Sequence, residues 1–349
     1  MDSKKILVSF CLKSYNQKEF LKEALEGAFS QTYRPLEIVI SDDASTDGSV
    51  DLILNRVRQW NDGCDGSEET DAEKSCDIVR FPEKDGVSVV VLLNKKNLGN
   101  LGNWQRICEF ARGELFVKAD GDDVSLPERT EKVVGAWVND GKKALIVANR
   151  GWKMDWRGRV YGMMDNTGAG AVSAYSRRLY EEFGPIVVYD RLAYDDYVYA
   201  LRMKILGGRE LLVDSRLVRY RMGSGVSSAF QGYRRTMAKT FMSAMASHRQ
   251  SVVDATAHGV ELGMLTRYEE LIKLWSGNTL HERWDGCKKL GSMHSGSLRM
   301  RLLAMLLLMG RLSDPILDFG RITKLLVDKM LWLMLLRMKF LRENDEKVV

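Results

Sequence analysis

Leu36-Glu37-Ile38-Val39-Ile40-Ser41-Asp42-Asp43-Ala44-Ser45-Thr46-Asp47-Gly48 begins as an apolar run and turns polar within a few residues. A short run rich in Ile and Val, bounded by Asp, Ser and Gly, reads as a buried strand followed by a loop. Thr46 or Asp47 can cap a helix that begins near Ser49. The same unit precedes it: strand Ile6–Phe10, the loop Lys13-Ser14-Tyr15-Asn16, then Phe20, Leu21, Leu25, Ala28 and Phe29 at helix spacing. It also follows: a third strand at Val87–Leu93, a loop over Asn94–Asn103, a helix at Trp104–Ala111, and a fourth strand, Leu115–Ala119, ending on Asp120-Gly121-Asp122-Asp123. Strands alternating with helices predict an α/β fold, a mostly parallel sheet covered on both faces.

The polar, Gly-containing stretch Asn61–Asp77 reads as a surface insertion. A second half is expected from a helix at Pro127–Asn139, a strand at Leu145–Ala148, a Trp/Gly-rich hairpin at Trp152–Tyr161 and a helix around Tyr194–Leu206. From about Gln231 the pattern is helical. We therefore expect an α/β domain over residues 1–229 and a helical C-terminal region over 230–349. No run approaches the roughly 20 apolar residues of a membrane span, and Met1–Lys5 leads directly into strand pattern, unlike a signal peptide. Five scattered cysteines without a Cys-x-x-Cys pair argue for reduced thiols and a cytoplasmic setting, against zinc or a disulfide framework.

The net charge of +5 is unevenly spread, because the residues from Phe230 onward carry 19 Lys and Arg against 12 Asp and Glu. Basic clusters interleaved with aromatics are missing there, so nucleic acid is not the expected partner. Lys324–Arg342 instead has a wide apolar face flanked by basic residues. Such helices either pack on their own protein or lie on a membrane surface. All four histidines fall in this part without ligand spacing.

In an open parallel sheet, ligands bind beyond the carboxyl ends of the strands. Three polar clusters sit there: Lys13–Asn16, Ser41–Asp47 and Asp120–Asp123. Each alone reads more simply as a turn; together they should meet in one crevice. The carboxylates of Asp120-Gly121-Asp122-Asp123 repel one another unless a cation shares the site. A hard divalent ion held by one or two carboxylates and substrate phosphates fits; the alternative is an Asp-rich cap before the helix at Pro127. Asp195-Asp196 opens the next helix, where two acids also favour the helix dipole. Trp104, Trp152 and Trp156 are either sugar-stacking or core residues.

Taken in order, Lys13-Ser14-Tyr15-Asn16, Glu37 through Gly48, Asn97-Leu98-Gly99, Gly113-Glu114, Asp120-Gly121-Asp122-Asp123 with Pro127, and Asp195-Asp196 resemble the motifs of family 2 glycosyltransferases, over roughly the first 225 residues. The resemblance implies a GT-A-like fold. It implies an inverting enzyme that uses Mn²⁺ or Mg²⁺ to transfer a single sugar from a nucleoside diphosphate sugar to an acceptor hydroxyl. The acceptor would be a saccharide or lipid-linked saccharide of bacterial surface-polysaccharide synthesis (O-antigen, capsule or exopolysaccharide). The C-terminal helices would then suit the inner face of the membrane. By the same resemblance Ser14, Tyr15, Asn16, Asp43 and Asp120 contact the donor nucleotide, with Asp43 pairing to the base. Asp122, with Asp120, holds the metal; Asp196 is the general base and Asp195 orients it.

Three departures stand out. Met222 occupies a position where the family often has His. Gln231-Gly232-Tyr233-Arg234-Arg235 only approaches the signature of processive members. The diphosphate-binding arginine has no clear match, leaving Lys95 or Lys96 as substitutes. The rival readings are a nucleotidyltransferase, which lacks its Gly-rich loop here, and an inactive sugar-nucleotide-binding protein.

Overall fold

The computed structural model describes residues 5–165, 170–186, 195–223 and 250–260. By its contacts the chain divides into Met1–Glu261 and Leu262–Val349, and every described residue belongs to the first unit. The boundary expected after residue 229, the near-signature at Gln231–Arg235 and the terminal basic helices lie outside the described residues.

The core is a run of strand–helix units: β1 (Val8–Ser14), α1 (Lys18–Phe29), β2 (Leu36–Asp42), α2 (Ser49–Trp60), then β3 (Ser67–Asp71), β4 (Cys76–Lys84), β5 (Val87–Asn94), α3 (Gly99–Phe110) and β6 (Leu115–Asp120). Next come β7 (Val124–Ser125), α4 (Arg129–Asn139), β8 (Ile146–Met154), β9 (Val160–Met164), β10 (Ser173–Ser176), α5 (Arg177–Phe183), α6 (Asp195–Ile205) and β11 (Glu210–Arg221). The sheet runs β3-β4-β5-β2-β1-β6-β10-β8-β11-β7, with β9 paired to β8. Its centre, β5-β2-β1-β6, is parallel; β10 enters antiparallel, and β8 and β11 run parallel beyond it. The result is a mixed sheet flanked by helices.

Every residue of β1 and β2 is buried, as expected of strands covered on both faces. Side chains alternate between two cores. Phe10, Leu12, Ile38 and Ile40 pack with α1, α2 and α4 through Leu25, Ile53, Val57 and Trp137. Cys11, Val39 and Phe116 pack with α3, α5 and α6 through Ile107, Leu179, Val198 and Tyr199. Trp104 belongs to this second core and is fully buried, which removes it from any sugar platform.

Two motif members hold the sheet rather than a ligand. Glu37, fully buried, accepts hydrogen bonds from Ser9 Oγ at 2.7 Å, the Arg112 amide at 2.7 Å and Arg112 Nε at 2.6 Å. Gly113 donates to Ser9 Oγ at 2.9 Å, and a Cβ there would lie 2.4 Å from the Ser9 nitrogen. Only glycine lets the chain pass so close to β1.

The stretch read as a surface insertion is structured. β3, mostly exposed, pairs antiparallel with β4, whose Cys76, Ile78, Val79 and Phe81 are buried. Pro82, Glu83 and Lys84 at the end of β4 conceal its pattern. α3 also begins earlier than its first bulky residue suggests, at Gly99.

A helix over 250–257 joins the first unit. Its Asp254 grips the fully buried Arg202 of α6, with Nε to Oδ2 at 2.7 Å and Nη2 to Oδ1 at 3.2 Å, and Gln250 supports the same carboxylate at 2.8 Å.

Candidate active site

Parallel pairing brings the ends of β1, β2 and β6 level: Ser14 lies opposite Asp42, and Lys13 opposite Asp120. The two loops beyond β1 and β2 are zipped together. The Asn16 amide donates to Ser45 Oγ and the Thr46 amide to Asn16 Oδ1, each at 2.8 Å, while Asp42 accepts from the Ser45 amide at 2.8 Å and Ser45 Oγ at 2.7 Å. Asn16 sits at φ 48° to allow this, a conformation Asn tolerates better than most residues. Ser14 is buried; Tyr15 and Asn16 are exposed at the mouth.

Asp43 has a task within the fold. Its Oδ1 accepts the Leu98 amide at 2.7 Å and its Oδ2 the Gly99 amide at 2.8 Å, and it is 1% exposed. The carboxylate therefore anchors the Asn97-Leu98-Gly99 motif at the positive end of α3, with Gly99 at φ 79°. Its Oδ1 also accepts from Asn94 Nδ2 at 3.5 Å.

At the end of β6, Lys13 Nζ lies 2.8 Å from Asp120 Oδ1. Burial opposes the charge on Asp120, but Lys13 and Lys118 outweigh it and hold its carboxyl below the ordinary aspartate range. The loop then turns tightly, the Asp123 amide donating to the Asp120 carbonyl at 3.1 Å. A Cβ on Gly121 would meet Gln17 Oε1 at 2.7 Å and the Lys13 carbonyl at 3.0 Å, so the turn packs tightly against the end of β1. Asp122 and Asp123 are both buried. Burial, then Asp122 and Asp120, push the Asp123 carboxyl well up, and its Oδ2 has no hydrogen-bond partner. Arg129, fully buried and pushed by burial to about 10, lies near the loop.

Asp195 and Asp196 open α6 on the other side of β6. Asp195 is buried and ion-paired to Lys118, which also lies 5.3 Å over the Trp104 ring. Burial opposes its charge too, but Lys118 and Lys13 hold Asp195 low. Asp196 has the opposite fate: burial, and then the charge of Asp195, raise its carboxyl above the ordinary range. One acid is fixed as a structural anion; its neighbour is left basic, as a proton acceptor requires.

The sequence reading missed Lys118, Arg129 and Arg221. A lysine within Leu115-Phe116-Val117-Lys118-Ala119 looks like the solvent side of an alternating strand, and only the partner from α6 reveals it as buried. Lys95, offered for the diphosphate, is paired with Asp77 on β4. Trp156 is 57% exposed at the tip of the β8–β9 hairpin. Among the described residues no three His, Cys, Asp or Glu gather as a metal site, and no helix is long and apolar enough to cross a membrane.

The model of the family described as "Glycosyl transferase family 2" matches residues 9–64 and 65–204, more than half of the chain. The chain belongs to glycosyl transferase family 2. Among its relatives in sequence is a protein named as a glycosyltransferase, EpsE of Bacillus subtilis (strain 168), 27% identical over 127 residues, 36% of this chain and 37% of that protein. WfaP of Escherichia coli, named a UDP-Glc:alpha-D-GlcNAc-diphosphoundecaprenol beta-1,3-glucosyltransferase, is 44% identical over 52 residues, 15% of this chain and 20% of that one. The matched stretches span between a fifth and about two fifths of these relatives. Among solved structures, residues 1–349 of S. aureus TarS in complex with UDP-GlcNAc superpose with a TM-score of 0.53 at 15% identity, covering 88% of each chain. That likeness concerns the fold, and it is the GT-A-like fold expected from the motifs.

Proposed function

We propose that this family 2 glycosyltransferase moves one sugar from a nucleoside diphosphate sugar to an acceptor hydroxyl with inversion at the anomeric carbon. What carries the reading is the Lys118–Asp195 pair. It ties the helix bearing Asp196 to the strand that ends in Asp120 and leads into Asp122, so an acid of raised basicity and a carboxylate loop belong to one site.

The nucleotide would lie over the ends of β1 and β2, against Ser14, Tyr15, Asn16 and Asp43, with Asp120 toward its ribose. The donor set fits a hard divalent cation such as Mn²⁺ or Mg²⁺: only carboxylate oxygens, with charge crowding at Asp122 and Asp123 that a cation would relieve. Asp122, assisted by Asp120, would hold it, leaving the remaining positions to phosphate and water. When bound, such an ion stabilises negative charge on the departing diphosphate.

Asp196 would accept the acceptor proton as that oxygen attacks the face of the sugar opposite the diphosphate. Asp195, neutralised by Lys118, orients it and keeps the proton affinity on Asp196. WfaP, by its name, acts on a diphosphoundecaprenol-linked sugar. A lipid-linked saccharide of surface-polysaccharide synthesis is the acceptor class we favour. The test is a screen of nucleotide sugars with Mn²⁺ and lipid-linked acceptors, with the product linkage read by NMR. Retention of anomeric configuration, or no transfer from any donor, would overturn the proposal.

A further inference from the structure

We propose that Arg221 is a positioning residue that sets where Asp122 stands, acting from beneath the loop without touching substrate. The proposal rests on the reading of Asp122 as the donor-side ligand.

Arg221 ends β11 and is 3% exposed. Its main-chain amide donates to Asp123 Oδ1 at 2.7 Å, and its Nε donates to the Asp122 carbonyl at 2.9 Å. One residue therefore fixes two consecutive members of the carboxylate loop. The rest of the guanidinium is spent on two other elements. Nη1 donates to the carbonyls of Asp155 and Trp156, at 3.1 and 3.0 Å, in the turn between β8 and β9, and Nη2 donates to Glu23 Oε2 of α1 at 3.1 Å. The group also lies 4.5 Å from the centre of the Phe20 ring.

This arrangement uses what distinguishes arginine from lysine: a planar fork with donors in fixed directions. A buried cation held mainly by carbonyls is an expensive way to join strands, since three of its side-chain bonds lack a compensating charge. It gains a rigid reference for the Asp122 peptide, taken from α1 and the hairpin together. On the other face of β11, the phenol of Tyr220 is raised first by burial and then by Asp123, Asp120, Asp122 and Asp196, so the strand end does lie against the site. Position matters here because a cation and a diphosphate must meet one carboxylate at one distance.

The experiment is calorimetric titration with UDP, GDP, ADP, CDP and dTDP, each with and without Mn²⁺, on wild type, Arg221→Lys, Phe20→Leu and Asp122→Ala. In wild type, Mn²⁺ should tighten the best nucleotide. In Arg221→Lys at least about tenfold of that gain should vanish, in keeping with loss of a charge-assisted hydrogen bond, while metal-free affinity stays within about twofold. A fold-only role would change both affinities or neither. Phe20→Leu, which loosens the guanidinium without touching the loop, should give a smaller loss of the same kind. It decides the matter if Arg221→Lys does not fold. An undiminished Mn²⁺ gain in a folded Arg221→Lys, or in Phe20→Leu when that variant must decide, overturns the proposal while Asp122→Ala still loses the gain. If Asp122→Ala keeps the gain, or no nucleotide responds to Mn²⁺, the reading beneath the proposal fails and the proposal falls with it.

Discussion

Lys118 and Asp195 form a buried ion pair that joins the strand ending in the carboxylate loop to the helix opening on Asp196. Neither side chain reaches solvent to any extent, so each depends on the other. Removing the lysine leaves an isolated buried anion, and breaking such pairs typically costs about 3–5 kcal/mol. We expect Lys118→Met to lose stability on that scale in urea unfolding, and Lys118→Met with Asp195→Asn to recover much of it. A single variant as stable as wild type would show that the pair does not hold the helix.

Asp196→Asn keeps shape and hydrogen-bonding reach but cannot take a proton. Transfer should fall by about 10²–10⁴-fold, the usual worth of general base catalysis, with nucleotide affinity unchanged. Asp195→Asn should do less to nucleotide binding than to the pH profile. Near-full transfer by Asp196→Asn would place the base elsewhere.

The pH dependence has a definite sign. Burial and Asp195 raise the Asp196 carboxyl, and the base works ionised. The rate should therefore rise with pH through a midpoint above the ordinary aspartate value of about 3.9. The same group acts oppositely on stability. Because its folded pKa is raised, its contribution is full below the unfolded value and is lost as pH rises through the folded one. A rate profile flat down to pH 4 would contradict this.

Asp122→Ala, or excess EDTA on wild type, should abolish transfer without lowering the melting temperature beyond a degree or two. Full activity in EDTA would remove the metal from the scheme.

Asp43 is expected to show two separable effects. Replacing it by Ala removes the acceptor for the Leu98 and Gly99 amides and should cost about 0.5–2 kcal/mol, as loss of an N-terminal cap does. Asp43→Asn retains one acceptor oxygen. It should narrow the preference we expect for UDP or dTDP, whose bases present an imide N–H, over CDP and ADP. Equal wild-type affinity for all four would leave Asp43 with the structural task alone.

Much of this was legible from local pattern. The runs Leu36–Ile40 and Leu115–Ala119 read as buried strands because each is apolar but for one charged residue, Glu37 and Lys118, and their polar endings marked the crevice because parallel strands end on one edge. What escaped were residues whose meaning depends on a distant partner. Lys118 is explained by Asp195, 77 positions on, and Arg221 by Asp122 and Glu23. Glu37 looked like part of a ligand motif until Arg112 and Ser9 were found around it. β3 was hidden because its side chains are exposed, so no apolar periodicity remained to betray its pairing with β4.

The bond between Arg202 and Asp254 has a consequence for how the protein comes into being. Synthesis delivers β1, β2 and β6 first, and α6 emerges with its arginine unmatched until some fifty further residues have followed. The half of the crevice that would carry out proton removal is thus the last to set. A gene fragment ending at the apparent close of the sheet, near residue 225, would encode α6 without the carboxylate that pairs with its Arg202. A gene fragment should run beyond residue 260 if Arg202 of α6 is to find its carboxylate.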